Sequence, residues 1–308
     1  FRLGRFLAYG LVLWFLSQGY LQAQKQLQPP ATAKKPVADT VHGSIIRDEY
    51  RWLEDDQSTE TRNWVKAQQA YTENRLKGLA AYERFGGVAR YGNSYFFTRN
   101  DGTQNQPVYY IRDGLDGPMR PLINPNKWSN DGSVSAAFYQ PSPSGRYVAY
   151  GVSQSGSDWT TIYVWDAVLN RPMPDTVRWA KFTTTTWLDN DGFYYQAMPE
   201  VPAAAKLTGV NQSASIRFHK LGTPSSTDAV VYEDPAQPRR TYGVELTSDG
   251  DYLFLSLNGG AGAGNALSYA RVPYDGKPVF TPLIREFDHQ NSLVDGWNNG
   301  FILLTDIG

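Results

Sequence analysis

Residues 142–166 read SPSGRYVAYGVSQSGSDWTTIYVWD, and this stretch decides the fold. Ser144 and Gly145 mark a turn. Residues 147–152 then alternate aromatic and aliphatic side chains, 154–158 form a polar connection with one glycine, and 160–165 are a second β-rich run. Two β-branched or aromatic runs on either side of a Gly/Ser cluster predict a hairpin. The phrase recurs along the chain. A turn glycine precedes an aromatic strand at Gly92 (GNSYFF), Gly145 (GRYVAY), Gly192 (GFYY), Gly250 (GDYLFLSL) and Gly300 (GFILL), at intervals of 53, 47, 58 and 50 residues. A second run follows four of these glycines, at 108–111, 161–165, 216–219 and 267–272. A period of about 50 residues with several strands per unit predicts an all-β propeller. A generic antiparallel meander is the plainer alternative, and five units in step argue against it. The spacing predicts about four blades and the start of a fifth.

Composition fits many short strands joined by turns. The 308 residues include 20 Tyr, 9 Trp, 28 Gly and 19 Pro. The formal net charge of -1 gives no global field for nucleic acid or an anionic membrane. The absence of cysteine excludes disulfides, thiolate zinc sites and a cysteine nucleophile. The chain starts at Phe1 and stops at Gly308 just after a strand begins a new unit, so a fragment of a longer protein is expected.

Arg2 and Arg5 precede an apolar run over 6–16, with the small residue Ala23 downstream. This order resembles a secretory signal peptide over residues 1–24, predicting a periplasmic or secreted protein with no membrane attachment once the leader is removed. The run is short for a span, which needs about 20 residues. Residues 25–36 read as a Pro/Lys/Gln linker. Beyond them, Ser58 is a plausible helix N-cap, Glu60 lies in the first turn, and Trp64, Ala67, Gln68, Tyr71 and Arg75 share one side. Gly78 reads as the stop. One helix over 59–77 is predicted. Its Trp64/Tyr71 stripe, with Trp52 and Leu53 before it, needs a partner surface.

The stretch HGSIIRDEYRWLEDDQSTETRNWVKAQQAYT at 42–72 resembles the opening segment of the prolyl oligopeptidase family of serine peptidases. A second resemblance is more specific. Residues 105–108 (NQPV), 122–126 (LINPN), 131–134 (DGSV), 141–150 (PSPSGRYVAY) and 156–162 (GSDWTTI) stand in that family's order, and VRWAKFTTTTWLDNDGFYY at 177–195 continues it. The GSDWTTI stretch looks like the prolyl branch and not like the relatives that cut after basic residues. The resemblance implies a seven-bladed propeller, here incomplete over 83–308, covering an α/β-hydrolase domain. It further implies that residues 25–82 belong to the peptidase domain and that a C-terminal hydrolase domain is a missing partner. Short proline-containing peptides are the implied substrates, with the propeller limiting access and no cofactor or metal. In that family a Phe in a K-F run lends a wall to the substrate pocket; the matching residue is Phe182, with a core position between blades as the alternative. Two further pocket positions of the family fall near Thr241 and Ala261, where this chain has small residues.

A serine peptidase needs a nucleophilic Ser, a His within hydrogen-bond reach and a carboxylate to orient it. The nearest approach to a G-x-S-x-G elbow is Gly151-Val152-Ser153-Gln154-Ser155, which lacks the final glycine and a following helix. His42, His219 and His289 read as turn, strand and loop residues. No catalytic residue is therefore assigned here, and the chain alone is expected to be inactive. Gly259, Gly260, Gly262 and Gly264 do not make a phosphate cradle, because Asn265 breaks the pattern and no helix follows. Asp55-Asp56 reads as helix capping. A stand-alone propeller used for binding is the alternative from another functional class.

Overall fold

A computed structural model describes residues 29–55, 58–80, 82–202, 210–260, 264–274, 276–297 and 300–307. The leader over 1–24 lies outside them. The chain forms two compact units, Phe1–Tyr82 and Glu83–Gly308.

In the first unit β1 (Val37–Val41) and β2 (Ser44–Asp48) pair as an antiparallel hairpin. Its two turn residues, His42 and Gly43, both have positive φ (49° and 79°), the backbone that a tight hairpin turn requires. The helix α1 (Thr59–Ala80) follows. Ser58 caps it, its Oγ accepting from the Thr61 N–H at 3.0 Å, and Asp55 Oδ1 accepts from the Ser58 N–H at 3.1 Å. Gly78 does not stop the helix, which continues to Ala80; an interior glycine costs only about 1 kcal/mol. The stripe finds its partner in the segment read as a linker. Trp52 Nε1 donates to the Ala33 carbonyl, Trp64 Nε1 to Thr32 Oγ1 and Gln68 Nε2 to the Pro30 carbonyl, each at 2.9 Å. The two indoles meet edge to face at 6.5 Å. Extended backbone needs hydrogen-bond partners, and this helix face supplies them.

The second unit is a succession of antiparallel meanders. The first sheet is β3 (Arg84–Tyr91), β4 (Ser94–Asn100), β5 (Val108–Asp113) and β6 (Met119–Ile123). The second is β7 (Val134–Pro141), β8 (Tyr147–Gln154), β9 (Trp159–Asp166) and β10 (Arg171–Lys181). The third is β11 (Thr186–Leu188), β12 (Gly192–Ala197), β13 (Ser215–Lys220) and β14 (Ala229–Glu233). A single pairing, Ala180 with Ala197, joins the second sheet to the third. The fourth is β15 (Thr241–Leu246), β16 (Tyr252–Asn258), β17 (Asn265–Arg271) and β18 (Thr281–Ile284). A hairpin, β19 (Asn291–Trp297) and β20 (Gly300–Thr305), comes last. All five glycines of the repeated phrase stand at or just before the second strand of a meander.

Core packing distinguishes blades from a sandwich. Each hydrophobic cluster fills the seam between one sheet and the next in sequence. Phe96 and Ile111 meet Val148 and Tyr150; Ala149 and Ile162 meet Trp187, Phe193 and Tyr195; Tyr194 and Ile216 meet Leu253 and Leu255. A central sheet therefore buries both faces, which is why β12 is buried at every position. The turns are packed as tightly. A Cβ on Gly92 would lie 2.2 Å from the Ser144 carbonyl oxygen, and one on Gly145 2.7 Å from that of Tyr91. Both have positive φ, so at these two positions glycine is required by backbone stacking between the first and second sheets as well as by the turn.

Candidate functional site

The first strands of successive sheets are stitched to one another. Gln140 of β7 donates to the Tyr91 hydroxyl at 3.1 Å, Trp187 of β11 donates to the Gln140 carbonyl at 2.9 Å, and Thr186 Oγ1 donates to the Val244 carbonyl of β15 at 2.6 Å. They border a cleft of about 1150 Å³, with Tyr91, Gln140, Thr183–Thr186 and the β15 strand in its wall.

Phe182 stands in that wall, 52% exposed, and not in a core between blades. Its backbone is left-handed, with φ of 50°, and Trp179 nearby has φ of 62°. For bulky residues this conformation costs about 1–2 kcal/mol each and persists only where neighbours enforce it. The enforcing residue is Gln196 of β12, 1% exposed. Its Nε2 donates to the carbonyls of Lys181 at 2.9 Å and Phe182 at 3.3 Å, its Oε1 accepts from the Tyr242 N–H at 2.6 Å, and its N–H donates to Thr183 Oγ1 at 2.9 Å. Lys181 runs behind the ring. Its ammonium lies 5.1 Å from the Phe182 centroid and 4.9 Å from that of Trp159, and donates to Asn211 Oδ1 at 2.8 Å. Thr241 opens β15 and is not in the cleft wall; Ala261 lies outside the described residues.

The strongest electrostatic arrangement was not legible in the sequence. His219 of β13 is fully buried between Asp228, 2.9 Å from Nδ1, and Asp175 of β10, 3.2 Å from Nε2. Tyr195 donates its hydroxyl to Asp228 at 2.9 Å, and the Gly222 N–H donates to Asp175 at 2.5 Å. Burial alone would lower the His219 pKa, but hydrogen bonds to both carboxylates outweigh it and push the imidazole up to about 9. Burial would raise the Asp175 carboxyl; its bonds from His219 and Gly222 outweigh that and hold it below the ordinary range. An imidazolium donates from both nitrogens, which this geometry demands. The partners lie 44 residues before and nine residues after His219, so no local motif announces them.

The other histidines are placed simply. His42 sits in the β1–β2 turn, and His289 Nδ1 is 3.1 Å from Asp306. Among the described residues no serine hydroxyl is hydrogen-bonded to a histidine, and Ser153 donates to the Ser157 carbonyl. Among the described residues there is also no cluster of three His, Cys, Asp or Glu suited to a metal, and no helix long and apolar enough to cross a membrane.

Residues 29–308 match the family model described as "Prolyl oligopeptidase, N-terminal beta-propeller domain". The chain is 31% identical over 298 residues to the prolyl endopeptidase of Elizabethkingia meningoseptica, covering 92% of this chain and 42% of that protein. It is 31% identical over 283 residues to a dual-function macrocyclase-peptidase of Amanita bisporigera, covering 79% of this chain and 38% of that one. A solved structure from a mechanistic study of two prolyl endopeptidases superimposes over 90% of this chain and 42% of its own, with TM-score 0.65 and 31% identity. Prolyl oligopeptidase B of Galerina marginata, bound to a 25-residue macrocyclization substrate, does so over 90% of this chain and 44% of its own, with TM-score 0.69 and 25% identity. The chain thus spans about two fifths of the length of the relatives it matches. The ordered motifs, the succession of four-stranded sheets and this likeness agree: the chain belongs to the prolyl oligopeptidase family, within its N-terminal β-propeller domain.

Proposed function

We propose that this protein is a serine-type endopeptidase that cleaves short peptides after proline, with the propeller restricting access and Phe182 forming one wall of the substrate pocket. The observation that carries the reading is Phe182 itself: an aromatic ring held half out of the cleft wall, in a strained backbone, by a buried glutamine. Proline-bearing peptides offer apolar surface, and an aromatic wall is a suitable partner for it. The prolyl endopeptidases among its relatives support the choice of proline. None of the described residues is assigned to catalysis, so the stretch 29–308 acts as gate and wall and does not hydrolyse peptides alone. Residues 25–82 belong to the peptidase domain in this reading, and the leader over 1–24 directs export.

The test is turnover of a benzyloxycarbonyl-Gly-Pro chromogenic substrate by the full-length protein, beside the matching Arg substrate. Cleavage of the first and not the second is expected. Cleavage of only the second assigns the protein to the basic-specific relatives. No turnover of either removes the peptidase reading in favour of a binding propeller.

A further inference from the structure

The cleft has a charge that the chain as a whole lacks. The sequence carries 29 Lys and Arg against 30 Asp and Glu. The cleft wall nevertheless contains Glu245, Asp189, Asp191, Asp249 and Asp251 and, among the described residues, no Lys, Arg or His. Two cations next to the wall, Lys181 and Arg240, are committed elsewhere. Lys181 is 7% exposed and held by Asn211, while Arg240 lies on the Phe287 ring at 4.8 Å and 3.6 Å from Asp234. The carboxylates come from three places: the β11–β12 turn, the β15–β16 turn and β15 itself. No three of them gather as a metal site. A second feature points to a ligand. Thr185 lines the same cleft, is 4% exposed, and its hydroxyl has no hydrogen-bond partner among the described residues. A buried polar atom without a partner is costly, and a bound amide or ammonium would satisfy it.

We propose that this cleft selects positively charged peptides, those rich in Lys or Arg, over neutral and acidic peptides of the same length. The inference rests on the peptidase reading for the identity of the substrate as a peptide. Its physical basis is independent of proline: dispersed carboxylates around a concave wall focus a negative potential that raises the local concentration of a cation. A volume of about 1150 Å³ suits an extended peptide segment better than a single ion.

Two arms test it, both on the full-length protein. In the first, proline-free peptides of equal length carrying three lysines, three serines or three glutamates are titrated calorimetrically. Binding in the order lysine, serine, glutamate is expected, with about a tenfold gap between the extremes at low salt that collapses once the Debye length shrinks to about 5 Å. Equal affinities, or tighter binding of the glutamate peptide, overturn the inference. The single variants Glu245→Gln, Asp189→Asn and Asp251→Asn are each expected to narrow the gap by about twofold; a gap unchanged in all three overturns the cleft as its source. In the second arm the same peptides carry one internal proline, and cleavage is followed. Charge-ordered binding without cleavage leaves the inference standing and removes the proline reading. Cleavage without charge order does the reverse.

Discussion

Strands β12 and β20 begin alike, Gly192-Phe193 and Gly300-Phe301, and both continue with large apolar side chains. All six residues of β12 are buried, and none of β20 is. The difference lies in what packs on each face. β12 is held between the second sheet, through Ala149 and Ile162, and the fourth, through Leu253 and Leu255. β20 has one face on the fourth sheet, where the Phe301 ring lies 4.7 Å from Phe254 and 5.0 Å from Tyr269. Its other face presents Ile302 and Leu304, 44% and 68% exposed. The repeated phrase makes a strand; the number of neighbouring sheets decides how much that strand stabilises.

The largest difference between the two strands is expected at their aromatic residues. Phe193→Ala is expected to destabilise by about 4 kcal/mol and Phe301→Ala by about 2 kcal/mol, measured by denaturant unfolding. Equal losses would show that the two strands are packed alike. Next comes the seam that only β12 and its neighbours possess. Removing His219 by substitution to Ala leaves Asp175 and Asp228 buried without their cation, and about 3 kcal/mol of loss is expected.

The same cluster gives the seam a pH dependence. His219 has its pKa raised from 6.5 to about 9 in the folded state. Its contribution is fully present below pH 6.5, declines as pH rises between these values, and is gone above about 9. Unfolding measured across that window is expected to show falling stability, with the slope absent in His219→Ala. A flat profile in the parent chain would refute the assignment.

Smaller effects sharpen the contrast. Phe182→Gly releases a left-handed phenylalanine, so a gain of about 1 kcal/mol in stability is expected together with weaker peptide binding. A loss of stability would mean that the ring packs more closely than its exposure implies. In the 308-residue chain by itself, Leu304→Ser on the open face of β20 is expected to change stability by less than about 0.5 kcal/mol. A loss above about 1.5 kcal/mol would mean that another surface covers this face.

Much of the architecture was legible because it rests on local rules. Turn glycines, alternating strands and the 50-residue spacing each act within a few residues, and every one of the five strands they announce is present. The Ser58 cap was equally local. Gly78 misled because a single glycine is only a mild helix breaker, and the extension to Ala80 shows how little stands against it. The linker reading of 25–36 misled in the other direction at residues 30–33. Proline and lysine mark a linker by composition, but hydrogen bonds to Trp52, Trp64 and Gln68 fix the segment in place.

The sequence by itself determined that this is a chain of repeated β meanders in a known order, because strand and turn preferences depend on near neighbours. Only the tertiary structure decided which residues share an environment. It brought Asp175, His219 and Asp228 into one buried cluster and gathered five carboxylates around one cleft. It also turned Phe182 out of the core. Each of those depends on strands from different blades meeting side by side, and desolvation and charge act through space without regard to separation along the chain.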